Sequence, residues 1–172
     1  MVQTGLPLVG EFKEINGVSV LTARVLILGS FPSAASLAVQ QYYAHPQNQF
    51  WRILGALLEQ PLKDLDYAVR VAAVQAAGIA IWDVFASCSR AGSLDAAIRE
   101  AVPNQLSTLK ESALALRRAC FNGRVAARRI REVEALGFEA VILPSTSPAH
   151  AGMGFEEKLV RWRTALQITG RN

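Results

Sequence analysis

Four short apolar runs, each stopped by small or turn-forming residues, frame this chain. Val25-Leu26-Ile27-Leu28 ends at Gly29-Ser30, and 78–85 (GIAIWDVF) runs into a small-residue loop at 86–92. A third run over 115–121 precedes Asn122-Gly123, and a fourth over 139–143 stops at Pro144. Apolar runs of this length predict strands buried on both faces, as in a parallel sheet. Between them the period changes to that of a helix. Phe50, Trp51, Ile53, Leu54, Leu57 and Leu58 recur at helical spacing until Pro61. Further helices are expected over 65–77 before Gly78, over 124–136 before Gly137, and over about 155–166. Ser33 opens a short helix over 34–41, Ser93 caps one starting at Leu94-Asp95, and Pro103-Asn104 opens another that reaches about Leu109. Strands alternating with helices predict an α/β fold: a single three-layer α/β/α domain over 25–172 with a central, mainly parallel four-stranded sheet. Residues 1–24 carry Val18-Ser19-Val20-Leu21 after Asn16-Gly17, a turn and edge strand in a lead-in segment packed on that domain.

Composition narrows the class. A chain of 172 residues, 51% hydrophobic and 19% charged, is globular rather than disordered and can bury a sizeable core. It has no apolar run of bilayer length, and its N-terminus lacks the regions of a signal peptide, so a cytoplasmic protein is expected. With two histidines and no Cys-x-x-Cys a zinc site is not expected, and Cys88 and Cys120 read as small buried residues; the reading reached below implies neither a metal nor an organic cofactor. The net charge is +4, with six arginines and no acid between Arg117 and Arg131. Such a cluster suits a polyanion or the solvated face of a helix, and charge alone leaves both open.

Parallel topology puts the loops after the first, second and fourth strands on one edge, where open α/β sheets bind ligands. After the first strand comes a knot of Tyr42, Tyr43, His45, Pro46, Asn48, Phe50 and Trp51, the aromatic and amide groups that a flat polar ring needs. The fourth-strand loop, PSTSPAH, is stiffened by two prolines and carries three hydroxyls that can donate to phosphate. Asp83 is the carboxylate most clearly at this edge, facing the site or capping the next loop. Asp95 either faces the pocket or sits in a first helical turn. His45 reads as a structural hydrogen-bonding residue or an acid, while Phe50 and Trp51 read as core.

Taken in order, GSFPSAASL, YYAHPQNQFW, FNGR and LPSTSPA resemble the uracil-DNA glycosylase superfamily, and within it the hypoxanthine-DNA (deoxyinosine) glycosylase branch. The likeness runs from about Val25 to the C-terminal helix. It implies a monofunctional glycosylase of base excision repair, acting as a monomer on double-stranded DNA that holds a deaminated base and nucleoid-associated when bound. By the resemblance, Asn48 would be catalytic. Gly29, Ser30, Phe31, Tyr43 and His45 would form the base pocket, with Tyr43 stacking on the base. Ser145, Thr146, Ser147, Pro148, Ala149 and His150 would be the loop that pinches DNA and fills the gap left by the flipped nucleotide. Asn122-Gly123 would lie near the pocket floor. Three positions depart from the superfamily pattern. Phe31 stands where many members have Asp or Asn, Ser145 where His or Asn opens the second motif, and His150 where a small polar residue or Asn is usual. These departures weigh against strong uracil excision.

The chemistry is consistent with that implication. Flipping a base costs roughly a few kcal/mol, and stacking it on an aromatic recovers about 1–3 kcal/mol. Fixed amides can stabilise charge on the leaving base without ionising. Without a first-motif carboxylate, water activation is weak, which favours a labile or poorly paired base such as hypoxanthine opposite thymine. Two rivals remain at this point. One is a uracil glycosylase acting on G:U mismatches or single strands. The other is a non-catalytic damaged-DNA binder using the arginine cluster and PSTSPAH. A nucleotide hydrolase lacks a Gly-Lys phosphate motif.

Overall fold

The computed structural model describes residues 1–167. The chain opens with β1 (Val2–Thr4) and an antiparallel hairpin of β2 (Phe12–Ile15) and β3 (Val18–Leu21), turned at Asn16 and Gly17, both with positive φ. β4 (Val25–Gly29) follows, then α1 (Ala34–Val39), α2 (Phe50–Leu58) and α3 (Tyr67–Ala76). β5 (Ile79–Asp83) leads into β6 (Phe85–Ser89), β7 (Arg99–Pro103) and the single turn α4 (Leu109–Ser112). β8 (Arg118–Asn122), α5 (Ile130–Ala135), β9 (Glu139–Leu143) and α6 (Phe155–Leu166) complete it.

The central sheet has the order β5-β4-β8-β9, parallel throughout. β4 is central because nothing in it needs water: Leu26, Ile27 and Leu28 are all fully buried. Its alternation divides the core in two. Ile27 faces α2, α3 and α6 with Phe50, Trp51, Ile53, Val74 and Trp162. Leu26 and Leu28 face the opposite layer with Leu21, Leu106, Phe121 and Val133. The expected α/β/α domain with a four-stranded parallel sheet is the observed one, and Phe50, Trp51, Cys88 and Cys120 are buried.

Four local expectations are corrected. Residues 86–92 are not all loop, because β6 pairs antiparallel with both β1 and β7 in a second sheet. Ser93 caps no helix of its own. A single 3-10 turn at Asp95–Ala97 is followed by strand β7, and Ser93 Oγ instead accepts from the Ala34 backbone N–H at the start of α1 (2.9 Å). Pro103 ends β7 rather than opening a helix, which is tolerated because β7 is an edge strand. Here long-range pairing overrides local helical preference.

The fourth correction concerns the arginines, which do not share one helix. The segment 124–136 is a 3-10 turn (Ala126–Arg129) followed by α5. Arg118 lies in β8, buried, where its Nη2 donates to both oxygens of Glu139 (2.8 and 2.7 Å). Arg129 donates to the carbonyls of Val84 (2.9 Å) and Asn104 (2.8 Å) and pairs with Glu132. Two of the six are therefore structural, and Arg117, Arg124, Arg128 and Arg131 are exposed.

Candidate active site

The carboxyl ends of β4, β5, β8 and β9 surround a cavity of about 220 Å³. The turn after β4 supplies Gly29, Ser30 and Phe31, the segment before α2 supplies Tyr43 and Asn48, and β5 and β8 supply Asp83 and Asn122. Ser145, Thr146, Ser147, Ala149 and His150 close one side, and Ser93, Leu94 and Asp95 another. Of the residues expected here, His45 and Pro148 are not among those lining the cavity. His45 Nδ1 accepts from the Gln47 backbone N–H (3.1 Å) and its carbonyl from Asn48 (2.9 Å), so it braces the turn instead.

Tyr43 turns the chain with φ 55, a left-handed conformation unusual for a bulky residue. Its ring stacks on Phe50 at a centroid distance of 3.8 Å and 16° between planes. The Tyr43 hydroxyl is buried without a hydrogen-bond partner. Burial, then the nearby Asp83, push it well above the usual tyrosine range, so it stays neutral. Asn122 is near enough to bear on this hydroxyl, yet no hydrogen bond joins them.

Asn48 Oδ1 accepts from the Phe50 backbone N–H at the start of α2 (2.9 Å). A backbone N–H can only donate, so this contact identifies the oxygen and leaves Nδ2 as the donor available to a ligand.

The first-motif turn is stitched to the β6–β7 connection. Ser30 Oγ donates to Asp95 Oδ1 (2.7 Å), and buried Arg90 donates to the carbonyls of Pro32 and Ser93. Arg90 also lies over the Phe31 ring, 5.2 Å from its centroid. Asp95 thus faces the site from the first position of its 3-10 turn, so the two readings its sequence left open coincide.

Asp83 is the buried carboxylate of the cavity. It is 3% exposed, its Oδ2 has no partner, and burial pushes its carboxyl up to about 7, helped by Asp95 and opposed by Arg90. It pairs in register with Gly29, and a Cβ at residue 29 would lie 2.5 Å from Asp83 Oδ1 and 2.9 Å from the Tyr43 hydroxyl. Only glycine leaves room for both groups.

The loop after β9 is held rigidly. Thr146, fully buried, is hooked to Asn122 twice: Asn122 Nδ2 donates to Thr146 Oγ1, and the Thr146 N–H donates to Asn122 Oδ1, both at 3.0 Å. Ser145 and Ser147 accept from the backbone N–H groups of Ser147 (3.1 Å) and Ala149 (3.2 Å). Lys158 Nζ, reaching from α6, donates to the His150 carbonyl (2.8 Å) and Gln49 Oε1 (3.0 Å). Sequence reasoning passed over Lys158. Its signal was a lone lysine on the apolar stripe of Phe155, Leu159, Trp162 and Leu166. Among the described residues no group of three His, Cys, Asp or Glu side chains is placed to hold a metal, and no helix is long and apolar enough to cross a membrane.

Residues 17–166 match the protein-family model described as the Uracil DNA glycosylase superfamily. The chain belongs to that superfamily. A hypoxanthine DNA glycosylase of Methanosarcina acetivorans is 41% identical over 126 residues, covering 73% of this chain and 80% of the relative. A second, from Methanosarcina barkeri, is 39% identical over the same shares. The NMR solution structure of a candidate uracil DNA glycosylase from Methanosarcina acetivorans superposes with a TM-score of 0.83 at 34% identity, covering 97% of this chain and 98% of that one. In this superfamily member the two motifs expected to form the site line the same cavity.

Proposed function

We propose that this glycosylase releases hypoxanthine from deoxyinosine in double-stranded DNA by hydrolysis, as a monofunctional enzyme of base excision repair. The observation that carries the reading is the 41% identity to a hypoxanthine DNA glycosylase. The cavity adds physical support. Tyr43, backed by Phe50, offers a rigid aromatic face to a flipped base. Asn48 Nδ2, with its oxygen held by Phe50, is a preorganised neutral donor to a ring nitrogen or carbonyl of the leaving base. Phe31 fills the first-motif position with a side chain that cannot activate water. The rate then rests on stabilising the departing base, and a base that leaves readily is favoured. Among the described residues no lysine lines the cavity, which supports hydrolysis over a Schiff-base lyase step. The loop from Ser145 to His150, rigid and exposed from Pro148 onward, is suited to press on the duplex where the nucleotide leaves it. Exposed Arg124, directly after the pocket residues Asn122-Gly123, is suited to a phosphate.

The test is single-turnover base release from duplexes carrying one deoxyinosine opposite each normal base, beside a matched uracil series. Release from deoxyinosine is expected, falling about 10²–10³-fold in Asn48→Ala. Full activity in that variant overturns the catalytic role, and release from uracil alone overturns the substrate. Tight lesion binding without release returns the chain to a binding module.

A further inference from the structure

The sugar of a flipped nucleotide stays tethered to the DNA backbone, so its C1′ remains at the cavity mouth while the base enters. Breaking the bond from C1′ to the base leaves positive charge on the sugar and calls for a water beside it. Asn48 serves the leaving base, and the Phe31 ring can hold no water, so this second task falls to another element. The ionisable side chains that line the cavity are Tyr42, Tyr43, Asp83, Asp95 and His150. Burial keeps both tyrosines neutral, and Asp83, 3% exposed, lies on the floor away from the sugar. His150 stands at the rim, but its backbone is what is held, by Lys158 and by Ser147. Asp95 differs from all of these.

The Asp95 side chain is 41% exposed, so it meets water at the rim. Its Oδ1 accepts from Ser30 Oγ at 2.7 Å, which ties the carboxylate to the turn after β4. Its Oδ2 takes no hydrogen bond among the described residues and can accept one from a water. The segment that carries it is braced against the same turn. Ser93 Oγ accepts from the Ala34 N–H (2.9 Å), and buried Arg90, 4.0 Å from Asp95 Oδ1, donates to the carbonyls of Pro32 and Ser93. The negative charge of Asp95 bears on both Asp83 and Tyr43, as a group facing the cavity must.

Resting on the glycosylase reading, we propose that Asp95 is a catalytic residue of the excision step, the carboxylate that holds the attacking water and meets the positive charge of the sugar. The bond from the water oxygen to C1′ forms as the C1′–N9 bond breaks, and the bonding pair leaves with the base. One water proton passes to Asp95 Oδ2 and from there to solvent. The base, steadied by Asn48 Nδ2, takes up a proton from solvent, so the sum is one water added across the bond. A fixed carboxylate next to the developing cation stabilises it through space, more strongly once the DNA has excluded bulk water. The carboxylate therefore comes from the β6–β7 connection, and Ser30 of the first-motif turn aims it.

Two substitutions separate the charge from the tether. Asp95→Asn keeps an acceptor for the Ser30 hydroxyl and removes the charge, whereas Ser30→Ala keeps the carboxylate and removes its tether. Single-turnover release of hypoxanthine from a deoxyinosine duplex, titrated with enzyme, separates the maximal rate from the half-saturating concentration. Asp95→Asn should lower the maximal rate about 10²-fold or more. Its half-saturating concentration should stay within about twofold of the wild type, because the charge acts only as the bond breaks. Ser30→Ala should lose only about tenfold in the maximal rate. Asp95 is exposed, so Asp95→Asn should unfold at the wild-type urea midpoint. A maximal rate for Asp95→Asn within about threefold of the wild type overturns the proposal and leaves the glycosylase reading intact. So does a loss confined to the half-saturating concentration, or a Ser30→Ala variant as slow as Asp95→Asn. A folded wild type that releases no hypoxanthine overturns both.

Discussion

Removing the Asn122 side chain should unhook the whole loop after β9, and the size of the effect follows from what is left behind. In Asn122→Ala the backbone N–H and Oγ1 of Thr146 both lose their 3.0 Å partners. Thr146 is fully buried, so water cannot replace the lost partners without opening the loop. Each buried polar group left unpaired costs about 1–3 kcal/mol, for a total of about 2–6 kcal/mol. Thr146→Val keeps the side-chain shape and strands only the Asn122 amide, at about 1–2 kcal/mol. Because the pair shares its bonds, the double variant should be less destabilised than the sum of the single ones, with about 1–2 kcal/mol of coupling. Urea unfolding measures these terms, since the denaturant midpoint shifts while the slope stays constant for a change confined to the native contacts. Single-turnover excision by Asn122→Ala should drop about 10²-fold, as expected when a positioning segment moves by about 1 Å. A cost below about 0.5 kcal/mol with additive variants would show that the loop is held by its own turns and by Lys158 alone, and would refute the reasoning.

Two further outcomes concern the floor. Holding an ionised carboxyl whose value is pushed from 3.8 to about 7 costs the folded state about 4 kcal/mol above neutrality. Below about pH 4 both folded and unfolded Asp83 are protonated and the cost vanishes; it grows as pH rises toward 7 and is level beyond. Asp83→Asn should accordingly gain stability over the wild type with rising pH between about 4 and 7, by up to about 2–4 kcal/mol, and denaturant titrations across that range would expose a pH-independent difference as the contrary result. Gly29→Ala places a methyl 2.5 Å from Asp83 Oδ1 and 2.9 Å from the Tyr43 hydroxyl. It should cost about 1–3 kcal/mol of overpacking and at least about 10²-fold in excision, and wild-type kinetics in that variant would mean that the floor lies elsewhere.

The sequence by itself determined what depends on local period and on turn chemistry. The four central strands, the helices over 50–58 and 155–166, the Ser33 cap and the Asn16-Gly17 turn were all legible, because apolar spacing and turn residues act over a few positions. So was the facing of Tyr43, Asn48 and the PSTSPAH loop, since parallel strands deliver their loops to one edge. Tertiary structure decided the rest. Edge strand β7 carries no strand period of its own and exists because β6 offers it backbone partners. The six arginines look alike in sequence, yet burial against Glu139 makes Arg118 a structural ion pair while Arg124 stays exposed. Asp83 and Asp95 could each be read two ways until the sheet register set Asp83 beside Gly29 and the β6–β7 connection brought Asp95 to Ser30. Whether a polar side chain is a cap, an anchor or a reader of substrate depends on which distant groups satisfy it, and those partners lie up to 109 positions away, as Gln49 does from Lys158.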